Sequence, residues 1–236
     1  MTQPAQTAQT AQTAQTAQTA QTAQTQQPQV AGAAIDALAD RARALAHGAP
    51  RIIVGIVGPP GAGKSTLAEA VVAALGPESA VLVPMDGFHL SNAVLESLGR
   101  RHRKGAPDTF DAAGYANLLR RLRAAGPETV YAPTFSRELE EPIASGIAVP
   151  PRTPIVITEG NYLLLDTPPW SQVRELLDAT WYVQIDDKIR LERLIARHVS
   201  FDKTPAAARA WAEGSDQRNA DVVAVSARHA DLVVRM

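Results

Sequence analysis

Residues 52–69 read IIVGIVGPPGAGKSTLAE. An apolar run meets two prolines and three glycines, then a lysine, two hydroxyls and a helix-like pattern. In that order the pieces predict a buried strand, a sharply bent loop and a helix whose first turn holds Lys64, Ser65 and Thr66. From Gly58 to Ser65 the spacing fits GxxxxGK[ST], the phosphate-binding loop called Walker A, whose glycines let successive backbone N–H groups turn inward around phosphate oxygens. Pro59 and Pro60 have no N–H to give, so the cradle falls to the amides of Gly61, Ala62, Gly63, Lys64 and Ser65, at the positive end of the new helix. Lys64 is expected on the β- and γ-phosphates and the Ser65 hydroxyl on Mg²⁺, with Thr66 beside it as a phosphate contact. The bland alternative is a glycine turn with a surface lysine. It leaves unexplained both the apolar strand before the loop and the single helical face formed by Leu67, Ala70, Val71, Ala74 and Leu75 after it.

The chain has 236 residues, a net charge of −1 and 45% hydrophobic residues, which suits one globular domain with a full core. That balance predicts no general affinity for nucleic acid or an anionic membrane. The absence of cysteine excludes disulfides, thiolate metal sites and cysteine nucleophiles. With no signal-like or membrane-spanning run, the expectation is a cytoplasmic enzyme. Residues 1–29 differ in kind: the triplet AQT repeats from Ala5 to Thr25 without an apolar side chain large enough to pack, which predicts a disordered tail before a domain over 30–236.

Downstream of the loop, strands are predicted at 80–84, 129–132, 155–158, 180–185 and 231–234, with a small β excursion at 143–150. Helices are predicted at 33–46, 111–125, 170–178, 187–199 and 205–213. The alternation implies an α/β domain: a doubly wound, mainly parallel five-stranded sheet with helices on both faces, binding ligands at the strands' carboxyl ends. Asp86 follows the run VLVPM and Glu159 follows PIVIT, so both fall at that edge. In a phosphotransferase to an alcohol, one carboxylate orients the acceptor hydroxyl and receives its proton, while another holds the magnesium through its water shell. Asp86 is assigned the first role and Glu159 the second. A strand-end acid facing solvent is the alternative for each.

With these pieces in place the sequence resembles the uridine kinase, phosphoribulokinase and bacterial pantothenate kinase superfamily of P-loop kinases. GPPGAGKST, MDGFHL (85–90), GAPDTFD (105–111), VYAPTFSR (130–137), ITEGNYLLL (157–165) and IRLERLIARH (189–198) carry the resemblance, from about Arg51 to Val234. It implies a P-loop NTPase fold with a helical lid, ATP and Mg²⁺ as cofactors, a small-molecule alcohol as partner, and leaves room for a homodimer. It further implies Asp86 as base, Phe88 and His89 lining the acceptor pocket, Phe110 and Asp111 touching the acceptor, and Tyr131 and Arg137 nearby. Nucleoside and pantothenate kinases often place a histidine near VYAPTFSR, and this chain has none there. Asp111 also reads as an N-cap of the following helix. Arg190, Arg193 and Arg197 share one helical face, and the resemblance makes that helix a lid over the nucleotide. Arg193 and Arg197 are then assigned to the phosphates, Arg193 catalytically, Arg190 to the substrate and Asn219 to the adenine. The run RRHRK at 100–104 reads as a solvated loop or as a recruiter of an anionic acceptor such as a sugar phosphate. Two other classes compete. A GTPase switch rests on DAAG at 111–114, a nominal DxxG without a guanine motif, and a regulatory nucleotide binder would lack an acceptor.

Overall fold

The structure is a computed structural model and describes residues 32–236. The repeat tail and the start of the domain at residue 30 lie outside the described residues. The elements are α1 (Gly32–Ala46), β1 (Ile52–Val57), α2 (Lys64–Leu75), β2 (Ala80–Pro84), α3 (Asn92–Ser97), α4 (Ala112–Arg123), β3 (Val130–Ser136), β4 (Glu141–Val149), β5 (Ile155–Gly160), α5 (Ser171–Arg174), β6 (Ala179–Gln184), α6 (Asp187–Ser200), α7 (Pro205–Trp211), α8 (Gln217–Ser226) and β7 (Leu232–Arg235).

Five strands form one sheet in the order β2-β5-β1-β6-β7, with each of these pairings parallel. A strand at the centre of such a sheet is covered on both faces, so it reads as continuous apolar sequence. Every residue of β1 is buried, and its side chains alternate between two cores. Ile53 and Val57 join α4 side chains such as Tyr115 and Leu119 on one face, whereas Val54 and Ile56 join Leu67 and Val71 of α2 and Leu38 of α1 on the other.

Residues 129–132 do not extend this sheet. They open β3, which pairs antiparallel with β4 in a separate hairpin. The register shifts between Ala132 and Thr134 around Pro133, consistent with a residue that offers no N–H to a ladder. The hairpin lies directly on the turn at Met85–Phe88: a Cβ on Gly87 would stand 2.5 Å from the Pro133 carbonyl oxygen. The expected helix at 170–178 shrinks to Ser171–Arg174, and the one at 205–213 ends at Trp211, passing through a π-helical turn at Ala212–Asp216 into α8. One buried cation fastens the far end of the sheet. Arg51 donates to the carbonyls of Thr153 (2.8 Å), Leu122 (3.0 Å), Pro150 (2.7 Å) and Pro151 (3.0 Å).

Candidate active site

Strand register carries two acids to one edge. Glu159 on β5 lies opposite Ile56 of β1 on one side and Pro84 of β2 on the other. It therefore ends its strand where the phosphate loop begins, and Asp86 follows Pro84 by two residues in the Met85–Phe88 turn. Gly61 and Gly63 hold left-handed backbones (φ 80° and 93°), which few side chains tolerate. The loop rests against α6 and β6: a Cβ on Gly61 would lie 2.9 Å from the Arg190 carbonyl oxygen, and one on Gly58 2.9 Å from that of Val183.

At the loop's mouth, Lys64 is buried and its Nζ donates to the Pro59 carbonyl at 3.1 Å. The Ser65 hydroxyl donates to Glu159 Oε1 at 3.0 Å. Glu159 is only 5% exposed. Burial pushes its carboxyl above the ordinary range and the charge of Asp86 adds to this, while Lys64 and the Ser65 hydroxyl pull the other way. Burial likewise lowers Lys64 against the opposing pull of Glu159 and Asp86. The Ala62 amide, assigned to the cradle from sequence, instead donates to the Pro59 carbonyl at 3.1 Å and closes the turn. Thr66 sits half-buried in the first turn of α2, away from the cleft lining.

A cleft of about 580 Å³ opens in front of these groups. Lys64, Ser65, Asp86, His89, Phe110, Arg137, Glu159, Arg197 and Asn219, all singled out from sequence, line it. His89 packs between two rings, 4.0 Å from Phe110 and 4.7 Å from Phe135 between centroids. Its Nδ1 stands 2.8 Å from the Asp86 carbonyl oxygen. Because a carbonyl only accepts, Nδ1 carries the hydrogen and Nε2 is left as an acceptor. Burial lowers the His89 pKa, against the weaker opposing pull of Asp86, so the ring is neutral near pH 7. Arg137 reaches Asp86 at 3.7 Å.

Five further residues expected at the site lie outside the cleft lining. Tyr131 is 56% exposed, because β3 alternates and turns Val130 and Ala132 inward. Asp111 is exposed and caps α4, accepting from the Gly114 amide at 2.8 Å; the same bond explains the DAAG run without any switch. Phe88 packs toward the core against Tyr115, 5.1 Å between centroids, instead of lining the cleft. Arg190 is fully buried on the inner face of α6, paired with Asp187 at 2.9 Å and bonded to Gln217, so its charge braces the lid helices. Arg193 does not line the cleft either, and its Nη1 is shut from solvent with no acceptor among the described residues. The helix brings Arg197 to the cleft in its place. Asn219 lies in the cleft wall, but its amide donates to the Gly105 carbonyl at 3.3 Å, on the side of the basic loop.

That loop divides in two. Arg103 pairs with Asp108, as does Arg100 at 3.5 Å, whereas Arg101 and Lys104 line the cleft. Sequence reading missed Phe135, Asn161, His198, Trp211 and Asp216, which also line it. His198 and Asp216 meet at 2.7 Å where α6 and the π-turn converge. His198 (next to Arg197), Asn161 (two residues after Glu159), Phe135 (two before Arg137) and Asp216 (three before Asn219) carried a positional signal, and Trp211 carried none.

Residues 53–201 match the family model described as "Phosphoribulokinase / Uridine kinase family". The chain belongs to this family of P-loop kinases and, with it, to the phosphotransferases that have an alcohol group as acceptor. It is 37% identical over 175 residues to a provisionally named uridine kinase, C227.14, of Schizosaccharomyces pombe, covering 70% of this chain and 73% of that protein. Identity to YggC of Escherichia coli is 35% over 190 residues, covering 79% and 78% of the two chains. A crystal structure of a provisionally named fructose transport system kinase from Silicibacter sp. TM1040 superposes with a TM-score of 0.78 at 36% identity, over 85% of this chain and 98% of that one. None of these comparisons supports a GTPase switch. Among the described residues no helix is long and apolar enough to cross a membrane.

Proposed function

We propose that this chain transfers the γ-phosphate of ATP to an alcohol group of a small molecule of the nucleoside, sugar or pantothenate type. The observation that carries the reading is the convergence of Asp86 and Glu159, from two strand tips, on one cleft with Lys64 and Ser65. The residues fit the nucleotide and its metal. Glu159 is a carboxyl buried beside a hydroxyl, and the positive charges of Lys64 and Arg137 do not outweigh the cost of that burial, an arrangement that a divalent cation relieves. No cluster of three acidic or histidine ligands exists among the described residues, which suits Mg²⁺, a metal that keeps several waters and takes its other ligands from phosphate. Ser65 and Glu159 would hold it, Glu159 through water. When bound, Mg²⁺ neutralises charge on the phosphate oxygens.

The protein's own groups do the rest. Asp86 orients the acceptor hydroxyl and takes its proton as the oxygen attacks the γ-phosphorus. The neutral Nε2 of His89 accepts a hydrogen bond from the acceptor. Lys64 and Arg197 offset charge on the moving phosphoryl group, and the lid that bears Arg197 excludes water so that transfer outruns hydrolysis. Incubation with ATP, Mg²⁺ and single alcohols (uridine, pantothenate, fructose) is the test. ADP should form only with an acceptor present. A regulatory nucleotide binder would bind ATP and release no ADP with any of them, which would overturn the proposal.

A further inference from the structure

The proposed kinase reading leaves several cations of the cleft unused, Arg137 and Lys104 among them. Arg137, on the hairpin turn, is 46% exposed, lines the cleft, and makes no hydrogen bond to a described residue; the described carboxylate within ion-pair distance, Asp86, lies at 3.7 Å, beyond hydrogen-bonding reach, and Glu159 acts on it only from farther off. A guanidinium presents five donors in a planar fork matched to carboxylate and phosphate, so a fork facing a binding cleft without acceptors is built to receive one. Lys104 faces the cleft from the basic loop. Its ammonium donates to Asn92 Oδ1 at 2.7 Å and to the Glu140 carbonyl, and it stands over the Phe135 ring at 5.2 Å. Two of its three donors are spent on neutral oxygens, and among the described residues no carboxylate lies within ion-pair distance of it. The nearby Glu141 carboxylate is held by the Asn92 amide at 2.9 Å. Glu138 and Glu140 also line the cleft from the same exposed turn as Arg137, and neither comes within ion-pair distance of Arg137 or Lys104.

We infer that the acceptor is an anion: a hydroxylated small molecule whose carboxylate or phosphate seats on Arg137 and Lys104, while its hydroxyl meets Asp86 and its body lies against Phe135 and Phe110. This rests on the kinase reading and narrows it. The aromatic faces bury the acceptor's carbon frame. The two cations, one on the hairpin turn and one on the loop at 100–104 that is bonded to that turn, fix which end points at the phosphate.

Matched acceptors test it: glycerol against glycerate and glycerol 3-phosphate, pantothenyl alcohol against pantothenate, and fructose against fructose 6-phosphate. In at least one set the charged member should draw ADP with a kcat/KM at least ~100-fold above its neutral partner, and which charged member does so separates carboxylate from phosphate. Lys104→Met should raise the KM for that acceptor by at least ~10-fold, with a smaller change in the KM for ATP, and Arg137→Lys should retain more activity than Arg137→Met. A second measurement needs no turnover. With ADP and Mg²⁺ filling the phosphate loop, malonate should raise the melting temperature, and Lys104→Met and Arg137→Met should each abolish that rise. Equal or better use of neutral acceptors would overturn the anion seat while leaving the kinase reading intact. A malonate effect that persists in Lys104→Met, or the absence of any such rise with malonate and with glycerol 3-phosphate alike, overturns it whether or not any acceptor is phosphorylated.

Discussion

The two ends of the cleft are built by different means. At the phosphate end the groups come from one short run of sequence, Gly58 to Ser65, joined by Glu159 from the neighbouring strand, and they are buried and mutually bonded. At the acceptor end they come from the Met85–Phe88 turn and His89, the loop at 100–110, the β3–β4 hairpin and the lid helices, and several stand half in solvent. The first kind of site is fixed by backbone: a strand, two left-handed glycines and a helix start. The second is fixed by long-range packing, so it can vary between relatives without disturbing the first.

The sharpest break between the two ends is expected at Asp86, which belongs to the acceptor side in sequence and to the phosphate side in position. Asp86→Asn should keep ATP binding and lose ~10²- to 10⁴-fold in kcat, the range for removing a positioned general base. Titration with a fluorescent ATP analogue, alongside ADP release, separates the two quantities. Near-normal turnover with the best acceptor would remove Asp86 from the base role.

A second substitution strikes only the acceptor wall. A methyl group at Gly87 would stand 2.5 Å from the Pro133 carbonyl oxygen. The obstacle is backbone, so the hairpin must move and take Phe135 and Arg137 with it. Gly87→Ala should therefore cost on the order of 10²-fold in kcat/KM, as displacements of about an ångström do. Its ATP affinity should stay within about twofold, because the loop at 58–65 rests against α6 and β6. Equal losses of acceptor and nucleotide binding would show that the two ends are not separable.

Legibility from sequence follows the same division. Loop, strand and acids could be read because the chemistry is local: the glycines, the lysine and the hydroxyl are adjacent, and an acid at a strand's carboxyl end must reach the sheet edge in a parallel fold. Residues 129–132 carry the same apolar pattern as a sheet strand, yet they pair with β4. Nothing in the alternation alone says which partner a strand takes. Arg190, Arg193 and Arg197 share a helix face by spacing, but the face is wider than the cleft. The inner side of α6 swallows Arg190 against Gln217 and leaves only Arg197 at the mouth. Lys104 separates from Arg103 for a comparable reason, since Asp108 claims Arg103 and Arg100. Partner choice among neighbouring charges is a tertiary fact.

Glu159 tests the buried end through opposed effects. Its folded pKa is raised, so in the nucleotide-free protein the unfolded chain gives up this proton at lower pH than the folded one. Stability from this group is present below the ordinary glutamate range and is lost as pH rises through the raised folded value. Glu159→Gln should remove that slope and melt higher than the parent at neutral pH without ligand, while losing turnover and the stabilisation that Mg²⁺ adds to ATP. Melting curves from pH 4 to 8 check it; a variant that melts lower than the parent at pH 7.5 would mean that Lys64 and Ser65 fully compensate the buried charge.

The smallest expected effect decides how far the acceptor end extends. The family resemblance assigns Asp111 to the acceptor, whereas its carboxylate caps α4 from an exposed position outside the cleft lining. The two roles predict different losses. Removing an N-cap costs ~1 kcal/mol, which for a domain of this size lowers the melting temperature by about 2–4 °C and leaves kcat and KM unchanged for every acceptor. Losing a substrate contact would raise the acceptor KM, and Asp111→Asn, which still caps, would raise it too. Asp111→Ala and Asp111→Asn measured together by melting and ADP release therefore separate the readings. A lower melting temperature in the alanine variant alone, with both variants kinetically normal, places the edge of the acceptor site at Phe110.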